Sequence, residues 1–203
     1  MKRVVDIILS IIALAILFPL FVVVAALIGL DSKGPVFFKG VRIGRHGKPF
    51  VPYKFRTMVA DAEKISKIVS TPDDDPRITR VGRLIRRFNL DELPQLINVL
   101  KGEMSIVGPR PEVPQYVEMF TEEEKAILTV RPGITDWATV WIKDKGKIFA
   151  GSEDPEKVYM ETVRPEKLRL QLEYVRNRSV WIDFRIMLRT LRTHLFDRFK
   201  SEG

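Results

Sequence analysis

A long apolar run opens the chain. Residues 7 to 30 include no charged side chain, and only Ser10, Pro19 and Gly29 interrupt the apolar residues. A helix of this length would extend about 36 Å, enough to cross the roughly 30 Å hydrocarbon core of a bilayer. Because the run is apolar on all faces, we expect lipid around it rather than one side of a protein core. A cleaved signal peptide is less favoured, since its apolar region is usually about 7–15 residues long.

Pro19, near the middle of this run, leaves two arrangements open. The proline either kinks a spanning helix or breaks it, so that the chain returns to the face it entered. Lys2 and Arg3 precede the run, and five basic residues follow it between Lys33 and Lys48. Basic flanks favour the cytoplasmic side, and only a re-entrant helix keeps both flanks there. The pattern alone is balanced between the two arrangements, but the heavier flank predicts that the downstream chain is cytoplasmic.

The rest of the chain alternates short extended segments with amphipathic helices. Residues 35–39 and 49–55 predict short strands around a glycine-containing turn. Apolar spacing and capping signals predict helices over residues 61–69, 81–88, 94–100, 121–129, 166–175 and 180–199. The last of these is basic and amphipathic, and its pattern favours the membrane interface over packing on the core. The pattern therefore predicts an α+β, mostly helical fold, with a membrane segment over residues 1–32 and a second unit over residues 33–203.

Composition narrows the chemistry. The chain has no cysteine, which excludes a disulfide framework and thiolate catalysis, and its net charge of +8 favours anionic partners. Nucleic acid, anionic lipid and phosphorylated substrates all fit that charge. The basic residues are spread along the chain and many alternate with acids, so a nucleic-acid partner is not predicted.

Two adjacent carboxylates stand out in the middle of the chain. Asp91 and Glu92 precede Pro94, which suits the first position of a helix, and a helix N-terminus attracts anions. A simple helix cap is the ordinary role of a carboxylate in this place. The neighbouring sequence adds a phosphate-binding theme, because arginine forks match phosphate oxygens and paired carboxylates can bind Mg²⁺ or supply a nucleophile. The basic residues in question are Lys54, Arg56, Arg86, Arg87 and Arg110.

These segments together resemble a known family. Residues 90–99, Leu-Asp-Glu-Leu-Pro-Gln-Leu-Ile-Asn-Val, and residues 104–111, Met-Ser-Ile-Val-Gly-Pro-Arg-Pro, are similar to the signature of the bacterial sugar transferases. Within that group they resemble the small, single-domain monotopic polyprenyl-phosphate phosphoglycosyltransferases. Tyr-Lys-Phe-Arg-Thr-Met at 53–58, Arg-Pro-Gly-Ile-Thr at 131–135 and Trp-Ile-Asp at 181–183 agree in the same order. The resemblance covers nearly the whole chain.

The resemblance implies an enzyme that transfers a sugar 1-phosphate from a UDP-sugar to polyprenyl (undecaprenyl) phosphate and releases UMP, at the start of glycan or polysaccharide assembly. Asp91 would attack the β-phosphate and carry the phosphosugar covalently, while Glu92 would help to deprotonate the polyprenyl phosphate. Mg²⁺ would lie against Asp91 and the diphosphate, and Asp183 is a further candidate site residue. Arg110 would bind substrate phosphate, with Lys54 or Arg56 contributing. Arg86 and Arg87 are phosphate-binding candidates on their position one turn before the dyad.

The resemblance also implies a location. The N-terminal helix would be re-entrant and broken at Pro19, and residues 33–203 would form a catalytic domain on the cytoplasmic face of the bacterial inner membrane. A lipid phosphate and a soluble nucleotide can meet at that interface, which agrees with the inner leaflet as the partner surface.

Some positions depart from the family pattern. The family often has Thr-Gly-Trp-Ala-Gln where this chain has Thr-Asp-Trp-Ala-Thr at 135–139, and it often has an aspartate where Gln171 stands. These differences lie outside the dyad and leave the sugar unassigned. Three other functions stay open on the residues alone: a non-catalytic binder of anionic lipid or nucleic acid, a membrane scaffold, and a glycosyltransferase that transfers sugar without phosphate.

Overall fold

The computed structural model describes residues 1–62, 75–144 and 154–195. Its first element is helix α1 (Lys2–Asp31), the one helix in these ranges that is long and apolar enough to span a membrane. Pro19 lies inside α1 and does not end it. The helical assignment continues through the proline, which a membrane helix tolerates, and the break at Pro19 stays a prediction. The re-entrant path of the chain stays a prediction.

Both ends of α1 are attached to the rest of the protein. At the N-terminal end, the Lys2 ammonium donates to Val107 O at 2.9 Å, and Arg3 donates to Val99 O at 2.6 Å. At the C-terminal end, the Val81 amide donates to the Asp31 carboxylate at 3.1 Å. The middle of the helix is exposed, as expected for a segment surrounded by lipid.

The strands are short and form three separate pairs. β1 (Phe37–Phe38) pairs antiparallel with β4 (Lys54–Phe55), and β2 (Arg42–Ile43) pairs antiparallel with β3 (Pro49–Phe50). β5 (Ser105–Val107) pairs in parallel with β6 (Gly133–Thr135). The predicted extended segments and the turn between them are confirmed, the turn being a 3₁₀ helix over Arg45–Gly47.

Helices make up most of the described residues. They are α2 (Arg80–Arg87), a 3₁₀ helix (Leu90–Gln95), α3 (Leu96–Lys101), α4 (Pro114–Val117), a 3₁₀ helix (Glu124–Thr129), α5 (Trp137–Asp144), α6 (Pro155–Val158), a π-helical turn (Tyr159–Val163), α7 (Arg164–Asn177) and α8 (Val180–Leu195). An α+β fold that is mostly helical is thus confirmed.

Most of the predicted helices have the expected places. The capping signal at Thr121 is confirmed, because Thr121 and Glu124 exchange backbone and side-chain hydrogen bonds at 2.8 and 3.3 Å. The predicted helix over 94–100 begins earlier, as a 3₁₀ turn that already includes Asp91 and Glu92. The predicted helix over 61–69 lies almost entirely outside the described residues, as does the end of the 180–199 helix beyond residue 195.

Apolar clusters fix these elements around the site. Val24 and Ile28 of α1 pack with Phe55 of β4 and Ile85 of α2, which joins the membrane helix to the strand carrying Lys54. A second cluster joins β5 to α7 and α8 through Val107, Tyr174 and Ile186. Burying these side chains holds the neighbouring polar groups at fixed distances.

Candidate active site

The loop that carries Arg110 is positioned by two glycines. Gly108 and Gly133 lie so close that a Cβ on Gly133 would stand 2.1 Å from Gly108 N. The Gly108 amide donates to Thr135 O at 3.0 Å, and the Gly133 amide donates to Pro109 O at 2.9 Å. The motifs at 104–111 and 131–135, which are separate in sequence, therefore form one structural unit. A side chain at either glycine would force these backbones apart and displace Arg110.

The carboxylate pair begins a tight turn. Asn89 adopts a left-handed conformation with φ 51°, and the 3₁₀ helix of Leu90–Gln95 follows it directly. Asparagine tolerates this conformation better than most residues do. The turn buries Asp91, which is 4% exposed, and directs Glu92 into the neighbouring cleft.

Lys54 bridges the two acids. Its ammonium lies 3.0 Å from Asp91 Oδ2 and 3.1 Å from Glu92 Oε1, although it is 38 residues from Glu92 in sequence. The lysine comes from β4, whose position is set by the apolar cluster under α1. A cation shared between two carboxylates offsets their mutual repulsion. The same ammonium can also bind a phosphate oxygen.

Arg110 forms a fork with Glu92. Its Nη1 donates to Glu92 Oε2 at 2.8 Å, and its Nη2 donates to Glu92 Oε1. Burial alone would raise the pKa of Glu92, but the charges of Arg110 and Lys54 outweigh it and hold that pKa well below its usual range. The charge of Glu92 in turn raises the pKa of Arg110. Glu92 is therefore ionised at neutral pH.

Two residues that depart from the family pattern form hydrogen bonds with the backbone of Arg110. Asp136 is fully buried, and its Oδ2 accepts from the Arg110 amide at 3.1 Å and from Gln171 Nε2 at 2.9 Å. Its Oδ1 accepts from the Thr139 amide at 2.6 Å. The sequence singled out these positions as departures but not as partners, because they lie on different elements 35 residues apart.

The structure does not bring the other predicted phosphate ligands to the dyad. Arg56 is buried and turns toward the end of α1, where it donates to Ser32 O at 2.6 Å and Lys33 O at 3.0 Å. Arg86 is half-buried on α2, near Asp75, whose pKa is lowered chiefly by its hydrogen bonds with Arg77 and to a smaller extent by the charge of Arg86. Arg87 is exposed on the same helix and lies over the Phe88 ring.

Asp183 also lies away from the dyad. Its carboxylate accepts from Lys2 Nζ at 2.6 Å and from the Tyr174 hydroxyl at 2.7 Å. This contact ties the beginning of α1 to α7 and α8. The geometry indicates that Asp183 anchors the N-terminal end of α1, a role that its place in the Trp-Ile-Asp motif did not reveal.

A cleft of about 230 Å³ opens beside the dyad. Its walls include Lys54, Glu92 and Arg110. They also include Glu112, Tyr116, Tyr159 and Lys167, together with residues of the β1–β2 region. One continuous space therefore joins Glu92 and its two basic partners to a second polar cluster.

The fit of Mg²⁺ depends on Asp91. The described ranges contain no group of three or more side chains suited to a metal ion, and the Glu92 carboxylate is already engaged by Arg110 and Lys54. Mg²⁺ is commonly held in phosphoryl-transfer sites by one or two carboxylates plus substrate phosphates. Asp91 with a bound diphosphate fits that pattern, whereas the protein side chains alone would make a poor metal site.

Comparison with known proteins agrees with this geometry. The family model described as "Bacterial sugar transferase" matches residues 1–197. An undecaprenyl-phosphate glucose phosphotransferase of Komagataeibacter xylinus is 39% identical over 203 residues, covering 97% of this chain and 36% of that protein. A UDP-N-acetylgalactosamine-undecaprenyl-phosphate N-acetylgalactosaminephosphotransferase of Aeromonas hydrophila is 39% identical, covering 96% of this chain and 43% of that protein.

The chain thus spans well under half of these two relatives, although it spans more of others. The uncharacterized sugar transferase EpsL of Bacillus subtilis (strain 168) is 38% identical, covering 100% of this chain and 89% of that protein. The match to the family model extends over the membrane helix, the dyad and the Arg110 loop alike. This chain therefore belongs to the bacterial sugar transferase family.

Proposed function

We propose that this protein transfers a sugar 1-phosphate from a UDP-sugar to undecaprenyl phosphate and releases UMP. The observation that carries the proposal is that Lys54 contacts both Asp91 and Glu92, that Arg110 binds Glu92, and that Lys54, Glu92 and Arg110 line an open cleft. Two cations beside a buried carboxylate suit a diphosphate. Relatives with 39% identity bear names that describe this kind of transfer.

In the first half of the reaction, an oxygen of Asp91 attacks the β-phosphorus of the UDP-sugar. The new bond joins the carboxylate oxygen to phosphorus, and the bond from phosphorus to the bridging oxygen breaks, so that UMP leaves with that electron pair. Lys54 and Arg110 bind the phosphate oxygens by exchanging their contacts with the dyad for contacts with substrate. Mg²⁺, bound by Asp91 and the diphosphate, would offset the negative charge of the phosphates.

In the second half, an oxygen of undecaprenyl phosphate attacks the same phosphorus. The bond to Asp91 breaks, the carboxylate is restored and a diphosphate-linked sugar lipid is released. Glu92 with its lowered pKa is a weak base in the substrate-free arrangement. Its basicity rises only when substrate phosphates take Arg110 and Lys54 away from it, which would couple proton acceptance to substrate binding.

The membrane helix is proposed to enter and leave on the cytoplasmic face. This proposal rests on the contacts at both ends of α1 with a single body, by Lys2 and Arg3 at one end and Asp31 at the other. The exposed side chains between them include Ile16 at 72% and Phe18 at 66%. A helix held at both ends by the same domain brings its middle, and not its ends, into the lipid.

The test is UMP release by the purified chain in detergent with UDP-sugars, Mg²⁺ and undecaprenyl phosphate. We expect Asp91→Asn to slow UMP release by about 1,000-fold or more, because it removes the nucleophile. Release of UDP in place of UMP would indicate sugar transfer without phosphate and would refute the proposal. An unchanged rate in Asp91→Asn would refute the covalent step while leaving the overall transfer intact.

A further inference from the structure

The proposed transfer leaves one polar cluster in the cleft without a role. Glu112, Tyr159 and Lys167 line the cleft that Lys54 and Arg110 also line. Glu112 follows Arg110 by two residues, so one loop carries a residue of each group. The cluster therefore has a fixed position relative to Arg110.

The three side chains form a buried hydrogen-bonded network. Lys167 Nζ donates to Glu112 Oε1, and the Tyr159 hydroxyl donates to the same oxygen at 3.3 Å. Lys167 Nζ also lies 3.4 Å from the Tyr159 hydroxyl. Glu112 is 8% exposed and Lys167 is 7% exposed. Burial would lower the pKa of Lys167, but the charge of Glu112 outweighs it and raises that pKa, so the lysine stays charged.

An ion pair in this position does little for stability. The desolvation of two buried charges often cancels their attraction, and a pair of apolar side chains would serve the fold as well. The pair lines a cleft rather than a closed core, so a ligand can reach its remaining polar atoms. A recognition role accounts for its presence better than a structural one does.

The backbone is adapted to bring Tyr159 and Lys167 together. Tyr159 begins the π-helical turn that joins α6 to α7, and Lys167 follows eight residues later. A π turn holds about one more residue than an α turn, so residues eight apart across it take the places of residues seven apart in a regular helix. Seven residues are about two full turns, which directs both side chains to the same face. Such turns are frequent at functional sites.

An aromatic surface completes the cluster. The Tyr116 ring stacks on Tyr159 with centroids 5.4 Å apart and planes at 25°, and both rings line the cleft. The face of a tyrosine can pack against the C–H groups of a sugar ring. The cluster therefore offers an acceptor, a cationic donor and a hydroxyl beside an apolar face.

We propose that Glu112, Tyr159 and Lys167 form the subsite that recognises the sugar of the nucleotide-sugar donor, with hydroxyl groups of a pyranose hydrogen-bonded to the cluster. This inference rests on the proposed function, since it needs the donor diphosphate at Lys54 and Arg110. The sugar is joined through its anomeric oxygen to the phosphorus that Asp91 attacks, and the cluster lines the same cleft as Lys54 and Arg110. A sugar carries several hydroxyls, each both donor and acceptor, which matches the mixed character of the cluster.

The nucleoside fits this cluster less well. The uracil edge has two carbonyl acceptors and one N–H donor, so a carboxylate would meet a single donor there. Both ends of the donor are neutral and each adjoins a phosphate, so charge does not distinguish them. The ribose presents fewer hydroxyls than a hexopyranose, so the sugar matches the three polar groups of the cluster better.

The experiment measures binding separately from turnover. The 203-residue chain in detergent carries Asp91→Asn to prevent transfer, and its affinity for UDP-glucose, UDP-N-acetylgalactosamine and UMP is measured by calorimetry. Tyr159→Phe removes one hydroxyl while the ring stays stacked on Tyr116, and Glu112→Gln tests the carboxylate. Glu173→Gln, on the exposed side of α7, is the matched control. Thermal unfolding of each variant identifies any that do not fold, and Tyr159→Phe keeps the test informative if Glu112→Gln is one of them.

We expect Glu112→Gln to weaken binding of the preferred UDP-sugar by about 10- to 100-fold, as for a lost hydrogen bond to a charged group. Tyr159→Phe should weaken it by about 3- to 10-fold, as for a neutral hydrogen bond. UMP binding should change by less than about twofold in both variants. Equal losses for UMP and the UDP-sugar would show that the cluster holds the nucleoside, and unchanged UDP-sugar binding in folded variants would show that it holds neither; each result overturns the inference. UDP-sugar binding that depends on Glu112, with no UMP release by the unmodified chain, would uphold the subsite and refute the transfer.

Discussion

Asp136 and Gln171 form a buried pair of an acid and an amide, and we expect that the two residue types can be exchanged between the two positions. The two side chains are buried, and Gln171 Nε2 donates to Asp136 Oδ2 at 2.9 Å. The family often has an aspartate at position 171 and a glycine at 136, so this chain supplies the acid from the opposite side. If the acid serves to hold the Arg110 amide, exchanging the acid and the amide should be better tolerated than either single change.

The expected magnitudes follow from the contacts. Asp136→Asn leaves one of the buried donors around that carboxylate without an acceptor, and we expect a loss of about 1–3 kcal/mol in the free energy of unfolding. Gln171→Glu brings two carboxylates to about the present 2.9 Å contact, where both cannot stay ionised, and should cost at least as much. The double variant restores one donor and one acceptor across the contact. Its loss should be smaller than the sum of the single losses by about 1–3 kcal/mol.

Denaturant unfolding in detergent measures the three variants against the unmodified chain, and UMP release from the folded fraction reports on Arg110. Asp154→Asn is the matched control, because that carboxylate is exposed and its cap of the Lys157 amide should be worth about 1 kcal/mol or less. Additive losses in the double variant would refute the exchange. Unchanged stability in Asp136→Asn would refute the view that this buried acid holds the Arg110 loop.

Three further predictions concern the dyad, a reassigned arginine and the membrane helix. The pKa of Glu92 is lower in the folded protein than the ordinary glutamate pKa of about 4.5. Ionised Glu92 therefore stabilises the folded state at every pH above about 4.5, and this stabilisation is lost as the pH falls toward the pKa of the folded protein. In unfolding curves, the free energy of unfolding of the unmodified chain minus that of Glu92→Gln should be constant above about pH 5 and should shrink below it. A difference that grows below pH 5 would contradict the lowered pKa of Glu92. Arg56→Met should lower the free energy of unfolding by about 2–4 kcal/mol through lost contacts at the end of α1, with little change in the KM for a UDP-sugar. A large rise in KM without a loss of stability would instead indicate that Arg56 binds the substrate phosphate. Because the chain has no cysteine, Val4→Cys and Lys33→Cys can be labelled singly with an impermeant maleimide in oriented vesicles. A re-entrant helix predicts labelling of both from the cytoplasmic side, whereas a spanning helix predicts opposite sides.

The sequence by itself determined the elements whose signals are local. The apolar run gave α1, the Thr121 capping pattern gave a helix start, and the order of the short motifs gave the family before any coordinates. Asp91 and Glu92 were found because adjacent acids before a proline, next to basic residues, are a local pattern. These features depend on neighbours along the chain, so they can be predicted without the fold.

Only the tertiary structure decided which side chains meet. Lys54 and Arg56 are two residues apart, yet Lys54 reaches the dyad and Arg56 reaches the end of α1. Asp136 and Gln171 meet across 35 residues, and a π turn brings Tyr159 to Lys167. Side-chain direction at such places is set by packing between distant segments and by backbone register, and no local pattern records either. The Asp91–Glu92 pair was therefore recognisable from sequence, while the residues that support it and the second cluster in the cleft were not.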